Sequence, residues 1–262
     1  MPEITSTRSP RVQAVRRLSR RSARVAERRF VVEGPQAVRE ALIGLLELYV
    51  DPDGADRHAD LVAAATCPVI LVSREVLAAM AETVTPQGLL GTAPLLDVDL
   101  ATALTPAPRL VVVLEAVADP GNAGTVIRTA DAAGAGAVVL TDGSTDPHGG
   151  KCVRASAGSL WHLPVVQGAT LAETVAALRA AGLTILATTG SGDRDLDDLQ
   201  DSGELAGPTA WLLGNEAAGL SEQALALADA TVRIPLRGRA ESLNVSTAAA
   251  VCLYASARAQ RN

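Results

Sequence analysis

Apolar positions along the chain switch between the period of a strand and the period of a helix. Phe30-Val31-Val32-Glu33-Gly34 reads as a strand ending in a turn, and the spacing from Pro35 to Leu46 predicts a helix. Glu47 to Val50 reads as a strand, closed by the turn signal Asp51-Pro52-Asp53-Gly54. Asp60 to Ala65 predicts a helix, Val69 to Val72 a buried strand, Arg74 to Glu82 another helix and Leu89 to Ala93 a last strand. Residues 30–93 are thus expected to form a small α/β domain. Residues 94–108 hold Pro94, Pro106 and Pro108 with few periodic apolar positions, and read as a linker.

From residue 109 to 262 strand and helix signals alternate again. Leu110 to Leu114 is a continuous aliphatic run, as in a parallel strand covered on both faces. Further strands are expected at Ala137–Leu140, Leu163–Val166, Thr184–Ala187, Ala210–Leu213 and Val232–Pro235, with helices near 123–133, 171–181, 221–228 and 244–260. The fold class expected is α/β, a mostly parallel sheet with helices on both faces.

Composition changes this picture in two ways. With 262 residues, 48% of them hydrophobic, the chain can bury a real core. No run reaches the ~18 apolar residues of a membrane span, and the N-terminus, charged from Arg8 onward, lacks an apolar signal core. A soluble, cytoplasmic protein without a membrane partner is expected. Cys67, Cys152 and Cys252 are far apart with no CxxC, so neither a disulfide framework nor a metal site is expected.

Charge is unevenly placed. Residues 1–29 carry nine Arg against Glu3 and Glu27, a net +7, while the whole chain is −6. The remaining residues therefore carry −13. A basic head on an acidic body points to a polyanion partner, the alternative being a solvated helix face or tail.

The familiar nucleotide motifs fail. Gly134-Ala135-Gly136 follows a helix instead of a strand and has Val139 in place of a third Gly; Gly149-Gly150-Lys151-Cys152 lacks the ends of a P-loop; no GxSxG occurs. Polar residues gather instead at three strand ends. The first is Asp119-Pro120-Gly121-Asn122-Ala123-Gly124, with Arg128 six residues after Asn122. The second is Leu213-Gly214-Asn215-Glu216 with Gly219-Leu220-Ser221, where a Gly lets a ligand approach the backbone. The third runs from Ile234-Pro235 through Arg237-Gly238-Arg239 to Ser242-Leu243-Asn244-Val245-Ser246. Each has a plain structural reading: Asn122, Ser221, and Ser242 or Asn244 as helix caps, and Arg128 as a surface charge.

Taken together, in order and spacing, the segments resemble the SpoU/TrmH-type RNA ribose 2′-O-methyltransferases of the SPOUT superfamily. Arg154-Ala155-Ser156-Ala157-Gly158-Ser159 followed by Leu163-Pro164-Val165 also fits that family, and Glu33-Gly34 with Thr85-Pro86-Gln87-Gly88 resembles the L30e-like RNA-binding domain often fused to it. Beside the basic segment over 1–29, the resemblance implies a substrate-binding domain over 30–93 and a methyltransferase domain over 109–262 with a deep C-terminal trefoil knot. It implies S-adenosylmethionine as cofactor, no metal, and a homodimer. By position, Thr188, Gly190, Leu213, Gly214, Ile234 and Leu243 would hold the cofactor, and Asn122, Arg128, Glu216, Ser242 and Asn244 would be catalytic or site-organising.

The implied reaction methylates a ribose 2′-hydroxyl of structured RNA, with ribosomal RNA of the 23S type favoured over tRNA because the front domain resembles a ribosomal protein. A tRNA ribose methyltransferase and a non-catalytic RNA-binding protein of the same fold are the alternatives; a nucleotide-dependent oxidoreductase lacks its glycine fingerprint. Arg128 is the family's proposed proton acceptor, yet a guanidinium is effectively always protonated. A clamp on an RNA phosphate is the preferred role. Asn122 and Ser242 would then position Arg128 or the ribose, and Glu216 would orient Arg128 or organise the knot loops. Aromatic residues are only 2% of the chain, which disfavours base stacking on rings as the main contact and favours recognition of RNA shape.

Overall fold

A computed structural model describes residues 4–261, which divide into two compact units. The first holds residues 4–96 and, from later in the chain, Asp146–Trp161; the second holds Asp97–Thr145 and the chain from His162 on.

The first unit opens with α1 (Pro10–Arg17) and α2 (Arg21–Glu27), then β1 (Arg29–Glu33), α3 (Pro35–Ala41) and β2 (Glu47–Val50). It continues with α4 (Pro52–Arg57), α5 (Ala59–Ala64), β3 (Val69–Leu71), α6 (Arg74–Met80) and β4 (Leu89–Pro94). Its sheet runs β1-β4-β2-β3, antiparallel except for the parallel β2–β3 pair. The basic head is folded into this unit. Val12, Val15 and Leu18 lie three apart, form one helical face, and pack with Tyr49, Val72, Val76 and Leu77. The expected turn at 51–54 instead starts α4. Asp51 accepts a hydrogen bond from the Gly54 amide at 2.6 Å, and Pro52 sits at the first helical position, so the turn residues act as helix-start residues.

The second unit begins with β5 (Asp97–Val98), α7 (Leu100–Ala103), β6 (Leu110–Leu114), α8 (Pro120–Ala132) and β7 (Ala137–Thr141). The stretch expected as a linker thus carries a strand, which pairs in parallel with Val165 and Val166. Next, α9 (Gly150–Ser156) belongs to the first unit, where Phe30 lies against His148 and Trp161 at ring separations of 4.8 and 5.8 Å. The second unit resumes with β8 (Val165–Ala169), α10 (Leu171–Ala180), β9 (Thr184–Thr188), β10 (Arg194–Asp195) and α11 (Leu196–Asp201). It ends with β11 (Thr209–Leu213), α12 (Glu222–Leu227), β12 (Ala230–Arg233) and α13 (Val245–Ala259).

These strands form an eight-stranded sheet, β10-β12-β9-β11-β6-β7-β8-β5, with every pair parallel. Alternation explains the aliphatic runs. Val111, Val113 and Leu212 pack with Val175 and Leu178 of α10 on one face. Their neighbour Trp211 points the other way and donates its indole N–H to Ser256 on α13 at 2.9 Å. Both faces are covered, so each run must be apolar throughout.

Candidate active site

Parallel pairing brings the carboxyl ends of β6, β9, β11 and β12 to one edge of the sheet, where the three polar segments are carried. The loop after β6 is fixed first. Asp119 caps α8 by accepting from the Asn122 amide at 2.9 Å, with Pro120 at the first helical position. Asn122 is therefore not the cap, and its side chain is left for other work. Its amide Nδ2 donates to Glu216 Oε1 at 2.9 Å, and its Oδ1 accepts from Asn244 Nδ2 at 3.1 Å. One residue from each segment joins in a single chain of hydrogen bonds.

Glu216 does more than meet Asn122. Its carboxylate also accepts from the backbone amides of Ala118 and Asp119, each at 3.2 Å. Burial pushes its carboxyl up, but the hydrogen bonds from Asn122 and from backbone amides outweigh that and hold it below the ordinary value. Glu216 thus ties the second loop to the first and makes no hydrogen bond or ion pair with Arg128. The residues around it complete the tie. Asn215 donates from Nδ2 to the Ala116 carbonyl at 2.8 Å, and its Oδ1 accepts from Ala217 and Ala218 amides. Glu115 accepts from the amide of Ser221 at 2.9 Å and from its hydroxyl at 2.5 Å.

Gly214, which also lines a cavity beside these loops, has a packing role of its own. A Cβ there would stand 2.2 Å from the Gly219 carbonyl carbon and 2.3 Å from the Leu220 nitrogen. The second loop folds back on itself, and only glycine fits that crossing.

A cavity of about 400 Å3 opens beside these loops. Thr188, Gly190, Leu213, Gly214, Ile234 and Leu243 all line it, as do Glu216, Ser242 and Asn244. Thr188 is fixed by donating its hydroxyl to the Leu212 carbonyl at 3.0 Å. Asn244 is the cap of α13, its Oδ1 accepting from the Ser246 amide at 2.9 Å. Ser221 likewise caps α12. Ser242 is exposed and makes no side-chain hydrogen bond among the described residues. Arg128 is not in the cavity wall. It lies on the exposed stripe of α8 with Thr125, without an ion pair or hydrogen bond among the described residues. Sequence reasoning missed Glu115 and the part played by Asn215. Their signal was position: each follows a buried strand at the edge where the loops gather.

Comparison with known proteins fits this geometry. The profile of the SpoU rRNA Methylase family matches residues 109–254. The chain belongs to the SpoU rRNA methylase family. Residues 9–91 match an MRM3-like substrate binding domain. The 23S rRNA (guanosine(2553)-2′-O)-methyltransferase RlmP of Bacillus subtilis is 36% identical over 256 residues, covering 97% of this chain and 98% of that one. An AdoMet-bound rRNA methyltransferase from Sinorhizobium meliloti superposes with a TM-score of 0.83 at 32% identity, covering 98% and 97%. AviRb of Streptomyces viridochromogenes, a SpoU methyltransferase in complex with AdoMet, gives 0.84 at 30% identity, covering 95% and 98%.

Both of these solved relatives hold AdoMet, and the residues lining this cavity fit that cofactor. The volume lies within the roughly 300–1,000 Å3 of small-ligand sites. The wall combines Leu213, Leu220, Ile234 and Leu243 with the two carboxylates Glu216 and Glu241, and holds no Lys or Arg. Such a wall suits a ligand with an apolar body and a cationic sulfonium, and offers no cationic side chain to the phosphates of a dinucleotide.

Proposed function

We propose that this chain methylates the 2′-hydroxyl of one ribose in 23S ribosomal RNA, in the cytoplasm. The observation that carries the reading is the convergence of Asn122, Glu216 and Asn244 in one hydrogen-bonded chain beside a cavity with an anionic, apolar wall. Bound S-adenosylmethionine supplies the reactive methyl; the protein's share is to hold and orient. The backbone at Leu213, Gly214, Ile234 and Leu243 holds the adenosine part, with Thr188 and Gly190 closing the wall. Asn122 and Asn244, each fixed by the other, and the unpartnered hydroxyl of Ser242 position the ribose. Arg128 clamps an RNA phosphate through a bidentate contact, and the ribose proton leaves by another route, because a guanidinium does not accept it.

A homodimer and a threaded C-terminus belong to the same proposal. Val251 and Tyr254 of α13 are 38% and 52% exposed. They line a depression of about 550 Å3 with Ala132 and Ala133 at the end of α8. An exposed apolar face of this kind is what a second copy would cover. Arg128, on the exposed stripe of the same α8, would then stand near the partner subunit. The knot is supported by the path of the chain, which returns after β12 to pack α13 on α8, β6 and β11.

The test is to incubate the full chain with unmodified 23S rRNA transcript and labelled S-adenosylmethionine, then map 2′-O-methyl positions. One labelled ribose is expected, absent from cellular RNA when the gene is removed. Label on tRNA alone, or no label on any RNA, would overturn the reading.

A further inference from the structure

The first unit holds a cavity that the methyl-transfer site does not use. It measures about 350 Å3 and is lined by Glu33, Gly34, Gln36, Thr83, Thr85 and Arg154, among others. Its floor is built on a carboxylate. Glu33 ends β1 with a side chain only 4% exposed. One oxygen accepts from the Glu82 amide at 3.1 Å and from Arg154 Nη1 at 3.2 Å; the other accepts from the amide and hydroxyl of Thr83. A buried charge with this many partners is a fixed one. It holds the 82–83 turn and the Arg154 guanidinium in place together.

Arg154 is 32% exposed on its side chain, and its Nη1 is the atom committed to Glu33 and, at 3.7 Å, to Glu82. Nε and Nη2 are left without a partner among the described residues. Thr85 is exposed on the same wall. Between the two lining threonines, Val84 is 98% exposed, the most solvent-facing large apolar side chain described. A fixed guanidinium plane with open donors and two threonine hydroxyls matches a nucleotide, whose base edge takes hydrogen bonds and whose face takes guanidinium contact. Glu33 does not repel RNA, because its charge is neutralised inside the wall by Arg154.

We propose that this cavity seats one unpaired nucleotide of the RNA substrate, with Arg154 and the 83–87 loop as its contacts. The proposal rests on the RNA-methylating reading above for the identity of the ligand. It adds a specificity contact remote in sequence from the three methyl-transfer segments, in a unit where ring stacking has few side chains to draw on.

The experiment measures the dissociation constant of the full chain for unmodified 23S rRNA transcript, and kcat and KM for the same transcript where methylation occurs. Thr85→Trp fills the cavity and Val84→Glu places a negative charge between its two lining threonines; both positions are exposed, so folding is spared. Ile43→Glu makes the same charge change at a side chain 92% exposed in the same unit but outside the cavity wall. Thr85→Trp and Val84→Glu are expected to weaken RNA binding about tenfold, the loss of one charge-assisted hydrogen bond. S-adenosylmethionine affinity and kcat should stay within about twofold, as for a contact made equally in ground and transition states. Ile43→Glu should leave RNA affinity within the same twofold. Unchanged RNA affinity for Thr85→Trp, or equal weakening by Ile43→Glu, overturns the proposal. Wild-type chain that binds the transcript without methylating it overturns the proposed reaction instead, and the cavity is then decided by the binding constants.

Discussion

Asn122 and Glu216 lie 94 residues apart in the chain, and their side chains meet at 2.9 Å. This contact fixes the loop after β6 against the loop after β11, and through Asn122 it reaches the cap of α13 at Asn244. Glu216 is exposed, so the tie matters for geometry more than for global stability. Glu216→Gln keeps the size but loses the charge and one of the two acceptor oxygens. We expect stability to change by less than about 1 kcal/mol and S-adenosylmethionine affinity to fall roughly tenfold. Calorimetric titration beside a urea melt separates the two.

The same carboxylate predicts a pH dependence. Its folded value is held below the ordinary one, so its contribution is complete above the unfolded value, about 4.3, and is lost as pH falls through the lower folded value. The folding stability drawn from this tie should be flat from neutral pH down to about 4.5 and decline below that. In Glu216→Gln this component of the acid decline should vanish. A decline of the same size in the variant assigns the titration to another group.

Gly214 and Gly190 both line the cavity proposed for the cofactor, but their substitutions should differ in kind. Gly214→Ala drives a Cβ into the backbone of Gly219 and Leu220, which cannot move aside as a side chain can. A loss of about 1–3 kcal/mol is expected from overpacking. A Cβ at Gly190 meets nothing within 4 Å. Gly190→Ala should melt like the wild type and alter only cofactor binding. Thermal unfolding with and without S-adenosylhomocysteine distinguishes them, and equal destabilisation of both would refute the crossing argument.

How much of this the sequence announces depends on the range of the cause. Leu110–Leu114 is a strand by local pattern alone, because burial on both faces demands five aliphatic residues in a row. Strand β5 is two residues long and owes its existence to pairing with Val165 and Val166, so nothing local marks it. Helices α9 and α11 escape notice although α6 and α12 of like length do not: GKCVRAS opens on a glycine and LDDLQD is four parts polar to two apolar, so neither shows a clear apolar stripe. In the site, the three polar segments stand out as departures from plain turn chemistry. Their apposition does not, since the Asn122–Asn244 contact spans 122 residues and is set by sheet order. Arg24 shows the limit most plainly. It is one of nine arginines in the head, yet it alone points inward, to Asp146 at 2.7 Å and the carbonyls of Leu18 and Ser19.

That inward arginine divides the head into two functions. Arg24→Ala leaves Asp146, whose carboxyl is held far below its ordinary value, without its guanidinium, and should cost about 3–5 kcal/mol as a broken buried pair. Arg16, Arg20 and Arg21 are exposed and without a carboxylate partner among the described residues. Changing all three to Gln should leave the melt unaltered and weaken RNA binding. The slope of log affinity against log salt should fall by about 2, at ~0.7 per phosphate contact. A salt slope equal to that of the wild type would remove the head from the RNA interface.

Trp211 and Ser256 give a test of the catalytic unit's frame. The indole N–H is fully buried, and Ser256 Oγ is its acceptor at 2.9 Å. Ser256→Ala removes the acceptor and leaves the donor unsatisfied, for an expected loss of about 1–3 kcal/mol. The urea midpoint should fall with its slope unchanged. A midpoint equal to the wild type would mean that the indole finds another acceptor.

Arg128 tests the chemistry itself. It is exposed and has no partner among the described residues, so substitution there should leave stability within about 0.5 kcal/mol. If its work is a two-pronged clamp on an RNA phosphate, charge alone does not suffice. Arg128→Lys keeps the charge but replaces a planar fork with a point donor. Turnover on 23S transcript should then drop about 10–100-fold, the worth of one charge-assisted hydrogen bond, while S-adenosylmethionine affinity is kept. Arg128→Ala should fall further. Near-normal turnover in the Lys variant would sink the clamp and return Arg128 to the role of a simple surface cation.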